Sequence, residues 1–113
     1  MELVDLHTHT RASDGTDSPA QLMAKAAEAG LKAVAVTDHD TLAGLDEAAA
    51  AGRELGVELI RGCEISTSTE LGELHILGLW LPEQPEALLQ KLAFLREKRG
   101  ERNEGIVRKL QDL

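Results

Sequence analysis

Leu31-Lys-Ala-Val-Ala-Val-Thr37 is the stretch that most narrows what this chain can fold into. It is a near-continuous apolar run of strand length, the pattern of a strand covered on both faces in a parallel sheet. Helix signals stand on either side of it. Upstream, Ser18 is an N-cap, Pro19 occupies the first helical position, Gln21 closes a capping box and Gly30 is a stop. Downstream, the Ala-rich stretch over 42–55 predicts a second helix, which Gly56 ends. Parallel strands need crossover connections, so a buried strand between two helices points to an α/β fold.

The remaining segments fit that frame. Residues 2–6 predict a first strand, followed by a polar loop over 11–17 with the turn signal Asp14-Gly15. Val57–Arg61 predicts a third strand. After a polar loop, Glu73–Leu81 predicts a fourth, ended by Pro82 and Pro85. Residues 86–99 and 101–112 read as amphipathic helices or one bent helix, with Gly100 as the break. Their apolar positions are Leu88, Leu89, Leu92 and Leu95, then Ile106, Val107 and Leu110. The order is βαβαββα, with mostly parallel strands, covering helices and right-handed crossovers. At 113 residues the chain is one domain at most, without internal repeat or linker. The last helices carry an apolar stripe that needs a partner, and no terminating signal follows it. The expectation is therefore the N-terminal part of a longer, truncated domain.

Composition excludes some functions. With one Phe, one Trp and no Tyr, the core must be Leu, Ile, Val and Ala, and no aromatic platform exists for stacking bases. The net charge of −8 provides no general basic field for polyanions. Metal-facing carboxylates would invert that sign locally, so an acidic chain can still act on phosphates. The single Cys63 rules out an internal disulfide and fits a reducing compartment. No 18-residue apolar run and no signal-like segment is present, so the expected setting is soluble and cytoplasmic, away from membranes.

The four histidines carry the chemistry. His7 and His9 end the first strand two residues apart, on one face together with Asp5. Asp14 lies in the loop that follows, His39 follows the second strand, Glu64 the third, and His75 lies within the fourth. In a parallel α/β fold these positions converge on the C-terminal edge of the sheet. Six N and O donors exceed the need of one metal and suggest a polynuclear site. Singly, each has an ordinary reading. Asp14 before Gly15 can form a turn, Asp38 and Asp40 can cap the next helix, and Glu64 can be a solvated loop carboxylate. His75 can be a hydrogen-bonded core residue, and Cys63 a small buried hydrophobe. What argues against these readings jointly is that every histidine falls where a site would be.

Asp5-Leu-His-Thr-His-Thr10, Ser13-Asp-Gly15, Thr37-Asp-His-Asp40, Gly62-Cys-Glu-Ile-Ser66 and Leu74-His-Ile-Leu-Gly78 resemble, in order and spacing, the PHP (polymerase and histidinol phosphatase) superfamily. The resemblance is nearest to its small phosphoesterase branch, with the 5′→3′ exoribonuclease and nucleoside 3′,5′-bisphosphate phosphatase proteins. Arg99-Gly-Glu-Arg-Asn103 to Leu110 is also similar to that branch. The resemblance implies the N-terminal portion of a distorted (β/α)7 barrel with a trinuclear metal centre at its strand ends. It implies one metal on His7 and His9, a second on Asp14 and His39, and Glu64 bridging metals with His75 at the third. Asp5 and Asp40 are expected to orient imidazoles from behind. A further His and a late Asp-x-His pair of the family are absent from this sequence. Each metal would keep about two or three protein ligands.

The implied activity is metal-dependent hydrolysis of phosphate esters of nucleotides or short RNA by metal-activated water, with manganese, zinc or iron as the divalent ion. The alternatives are a small-metabolite phosphatase, such as one acting on histidinol phosphate, and a non-catalytic metal-binding fragment completed by another chain. A third is a structural α/β domain without metal. Unpaired sheet edges in a half barrel would favour self-association or completion by a missing C-terminal part.

Overall fold

The apolar run Leu31–Val36 forms the central strand β2 of a three-stranded parallel sheet ordered β1-β2-β3, with β1 at Leu3–Thr8 and β3 at Glu58–Arg61. Ala33, Val34, Ala35 and Val36 are all buried, as expected for a strand covered on both faces. Period-two alternation divides them. Val34 and Val36 pack with Met23 and Ala26, with Leu45 and Ala48, and with Val57. Ala33 and Ala35 face the other side, with Ile60 and the flanking Leu79. The computed structural model describes residues 2–111, with side chains over 2–98 and at 111.

Two helices make the crossovers. Helix α1, Pro19–Glu28, starts on the predicted capping box: Ser18 Oγ accepts from the Gln21 N–H at 3.1 Å, and Gln21 Oε1 accepts from the Ser18 N–H at 2.8 Å. Helix α2 spans Leu45–Leu55 and starts three residues later than predicted. Thr41 Oγ1 accepts from the Ala43 N–H and the Leu45 N–H reaches the Leu42 carbonyl, so 42–44 is a turn that delivers Gly44 as the N-cap. Gly56 ends α2 in the left-handed conformation at φ 74°.

The chain after β3 departs from the sequence reading. Cys63–Thr69, taken as a loop, is strand β4, and it pairs antiparallel with β5, Gly72–Gly78, from Cys63↔Gly78 to Thr69↔Gly72. The sheet content is thus three parallel strands plus an antiparallel hairpin. Polarity misled here: Ser66–Thr69 reads as loop, yet Thr suits an exposed hairpin face. Strand β5 stops at Gly78 rather than Leu81, and Trp80 takes a φ of 55°, which turns the backbone out of the strand path.

The chain divides into two units, residues 1–83 and 84–113. Every candidate site residue lies in the first. The second is carried by one continuous helix, α3, Glu86–Gln111. It runs through Gly100 without a break, since one helical Gly costs only about 1 kcal/mol relative to Ala. The side chains of Ile106, Val107 and Leu110 lie outside the described residues. Among the described residues, no helix is long and apolar enough to cross a membrane.

Candidate metal centre

Backbone geometry beyond the ends of β1 and β2 builds the site. Thr37 donates from both its N–H (2.8 Å) and its Oγ1 (3.0 Å) to the Thr8 carbonyl, which ties the two strand ends together. Past that tie, β2's continuation pairs with β4: the Asp40 N–H reaches the Glu64 carbonyl at 2.9 Å and the Glu64 N–H reaches the Asp38 carbonyl at 3.0 Å. Gly62 permits this approach. A Cβ there would lie 2.8 Å from Thr37 Cγ2 and 2.9 Å from the Gly78 carbonyl oxygen. His39 and Glu64 are thereby set side by side on adjacent strand ends.

All six residues expected as ligands meet in one cluster. Glu64 is at its centre, only 5% exposed, and each imidazole reaches its carboxylate. Oε1 contacts His7 Nε2 and lies 3.4 Å from His9 Nε2; Oε2 lies 2.7 Å from His75 Nδ1 and 3.2 Å from His39 Nδ1. Asp14 closes the other side, 3.2 Å from His39 Nε2 and 3.6 Å from His9 Nδ1. Three overlapping groups have donor atoms mutually within 4.8 Å: His7, His9 and Glu64; His9, Asp14 and His39; His39, Glu64 and His75.

Electrostatics follow from this crowding. Burial pushes the Glu64 carboxyl up, but hydrogen bonds from His75 and His7 and the nearby charges of His39 and His7 outweigh it, so the group sits below the ordinary carboxylate range. The hydrogen bond to Glu64 raises His75 above the ordinary imidazole value against the opposing effect of burial, with Glu73 adding to the rise. Burial pushes the Cys63 thiol up to about 11, which fits a small buried hydrophobe rather than a thiolate ligand.

The donor set fits divalent metal ions. Four imidazoles around a buried carboxylate, with a second carboxylate alongside, is mixed N/O coordination chemistry. His9 Nδ1 is buried and without a hydrogen-bond partner, an orphaned donor atom inside the group formed with Asp14 and His39.

The two carboxylates expected to orient imidazoles each hold a backbone N–H. Asp5 Oδ1 accepts from the His7 N–H at 3.1 Å, and Asp40 Oδ1 accepts from the Ser66 N–H at 3.0 Å. Strand alternation put Asp5 on the histidine face, but its carboxylate turns onto the chain two residues ahead. The residue that the sequence reading undervalued is Asp38. It is not a helix cap: it is 2% exposed and accepts three hydrogen bonds from the loop between His9 and Asp14. The one available signal was its place beside His39 at the end of a buried strand.

Known proteins resemble this chain in sequence and fold. The family model described as PHP domain matches residues 5–103. The 5′-3′ exoribonuclease of Haemophilus influenzae is 49% identical over 99 residues, which cover 85% of this chain and 36% of that protein. The 3′,5′-nucleoside bisphosphate phosphatase of Chromobacterium violaceum is 40% identical over 102 residues, covering 90% of this chain and 36% of the relative. Among solved structures, a candidate metal-dependent phosphoesterase from Bifidobacterium adolescentis superposes with a TM-score of 0.85 at 38% identity, over 96% of this chain and 38% of that one. The chain therefore spans a little over a third of the length of the curated relatives it matches.

Proposed function

This chain belongs to the PHP family, and from that premise we propose that residues 1–113 are the N-terminal part of a metal-dependent phosphoesterase. Its substrates would be phosphate esters of nucleotides or short RNA, and its setting the cytoplasm. The observation that carries this reading is Glu64, whose buried carboxylate is shared by two of the three donor groups. A shared carboxylate between adjacent donor groups suits a polynuclear centre of up to three ions. Manganese, zinc or iron all match the donor set.

The three donor groups suggest which residues would hold each ion. His7, His9 and Glu64 would hold one ion, His9, Asp14 and His39 another, and His39, Glu64 and His75 a third. Bound divalent ions would supply Lewis acidity toward phosphate oxygens and lower the pKa of water. The protein's own part is to hold the donors in place before an ion arrives. Glu64 keeps negative charge among the four rings because hydrogen bonds from His75 and His7 and the charges of His39 and His7 favour its ionised form. His75 is aimed by two carboxylates, Glu64 on Nδ1 and Glu73 at 3.6 Å from Nε2.

A second reading has its own support: a non-catalytic metal-binding fragment that another chain, or a second copy of this one, completes. Strand β1 is at a sheet edge with Leu3, Val4 and Leu6 exposed, apolar side chains that a partner would cover. Assays of the purified chain with manganese separate the readings. Turnover of a nucleoside 3′,5′-bisphosphate or a short RNA supports the phosphoesterase, and preference for histidinol phosphate points to a small-metabolite phosphatase. Metal binding without turnover supports the fragment.

A further inference from the structure

The donor group of His9, Asp14 and His39 spans two loops, and one buried residue joins them. Asp38 Oδ1 accepts from the Thr10 N–H at 2.6 Å and from Ser13 Oγ at 2.7 Å, and Oδ2 accepts from Thr10 Oγ1 at 2.7 Å. Thr10 directly follows His9, Ser13 directly precedes Asp14, and Asp38 itself precedes His39. The loop between is wound on the same point: the Ser13 and Gly15 N–H groups both reach the Thr10 carbonyl, at 3.1 and 2.9 Å, and the Ala12 N–H reaches Thr10 Oγ1 at 3.1 Å. Thr10 is wholly buried. Glycines accommodate the close packing. A Cβ at Gly44 would lie 3.3 Å from Thr10 Oγ1 and 3.5 Å from Asp38 Oδ2, and one at Gly15 would lie 2.5 Å from the His9 carbonyl oxygen.

We propose that Asp38 is a positioning residue: its carboxylate clamps both ends of the His9–Asp14 loop and so sets that pair in register with His39 for a divalent ion. It touches none of the proposed donor atoms; it acts through Thr10 and Ser13. The other two groups draw on Glu64, which β4 positions, and depend on the clamp less. This rests on the metal-centre reading above.

The test compares the full chain with D38A, D38N and D14A by titration with Co2+ and Mn2+ and by amide exchange without metal. The expected result is that D38A weakens ion binding about 10–100-fold. The loss should match that of D14A and should not add to it in the double variant. D38N, whose Oδ1 still accepts from the Thr10 N–H and Ser13 Oγ, should recover most of the affinity. Exchange at the Thr10 and Gly15 amides should quicken in D38A. A folded D38A with unchanged affinity and stoichiometry overturns the proposal. If D38A does not fold, S13A decides in its place: partial weakening supports the clamp, and none overturns it. If the parent chain takes up no ion, the metal reading fails separately. Exchange then decides the clamp, with unaltered Thr10 and Gly15 amides overturning it.

Discussion

His9 and His39 stack face to face, with ring centroids 4.5 Å apart and planes 10° from parallel. Two carboxylates bracket the pair. Asp14 lies at one edge, toward His9 Nδ1 and His39 Nε2, and Glu64 at the other, toward His9 Nε2 and His39 Nδ1. The stack brings together residues 30 positions apart in sequence because β1 and β2 are parallel neighbours, so their ends lie side by side. Between them His9 and His39 belong to all three groups that would hold ions, which makes the stack the hinge of the donor set.

Replacing Glu64 by Gln keeps the shape and removes the shared charge. Two of the three groups lose a ligand, so ion affinity should fall by at least about tenfold, the lower limit for losing even an outer partner. Isothermal titration with Mn2+ measures it. Unchanged affinity would place the ions elsewhere.

Ion binding should tighten as pH rises. Metal and proton compete for the same ring nitrogens, and His75 holds its proton above the ordinary imidazole value because it bonds to Glu64. The metal-free chain should show the opposite trend at the upper end. Stability contributed by the raised His75 is fully present below 6.5 and lost as pH climbs through its folded pKa. Stability contributed by the lowered Glu64 is present above 4.5 and lost as pH falls through its folded pKa. The pair therefore contributes most between 4.5 and 6.5, and thermal melts across pH should show it.

Most of this donor cluster was legible in the sequence, for a physical reason. His7, His9, His39 and His75 sit at or within apolar strand runs, and parallel topology brings such positions to one edge without any knowledge of side-chain contacts. The capping box at Ser18 was equally local and equally readable. What escaped was set by partners distant in sequence. Strand β4 looks polar because one hairpin face is solvated, and only its register with β5 makes it a strand. Asp38 looked like a cap because nothing nearby in sequence shows that Thr10 and Ser13 come to it across 28 and 25 residues. Gly100 looked like a break because a local propensity was read as decisive.

The core under the site should be separable from it. Met23 is fully buried between α1, α2 and β2, so Met23→Ala should destabilise by about 2–5 kcal/mol. Urea unfolding gives the value, and the folded variant should keep its ion stoichiometry.

Gly62→Ala should harm both properties. The added methyl meets Thr37 Cγ2 and the Gly78 carbonyl, an overpacking cost of about 1–3 kcal/mol. Because Glu64 follows two residues later, the same shift should weaken ion binding. A variant that melts lower yet binds ions as before would separate the strand junction from the site.

Whether this cluster holds divalent ions is read from the metal content of the folded chain. Elemental analysis after gel filtration without chelator should find bound transition metal, up to one ion for each of the three donor groups, and less in Glu64→Gln. A folded chain that carries no ion, and takes none up from excess manganese, zinc or iron, would contradict the account.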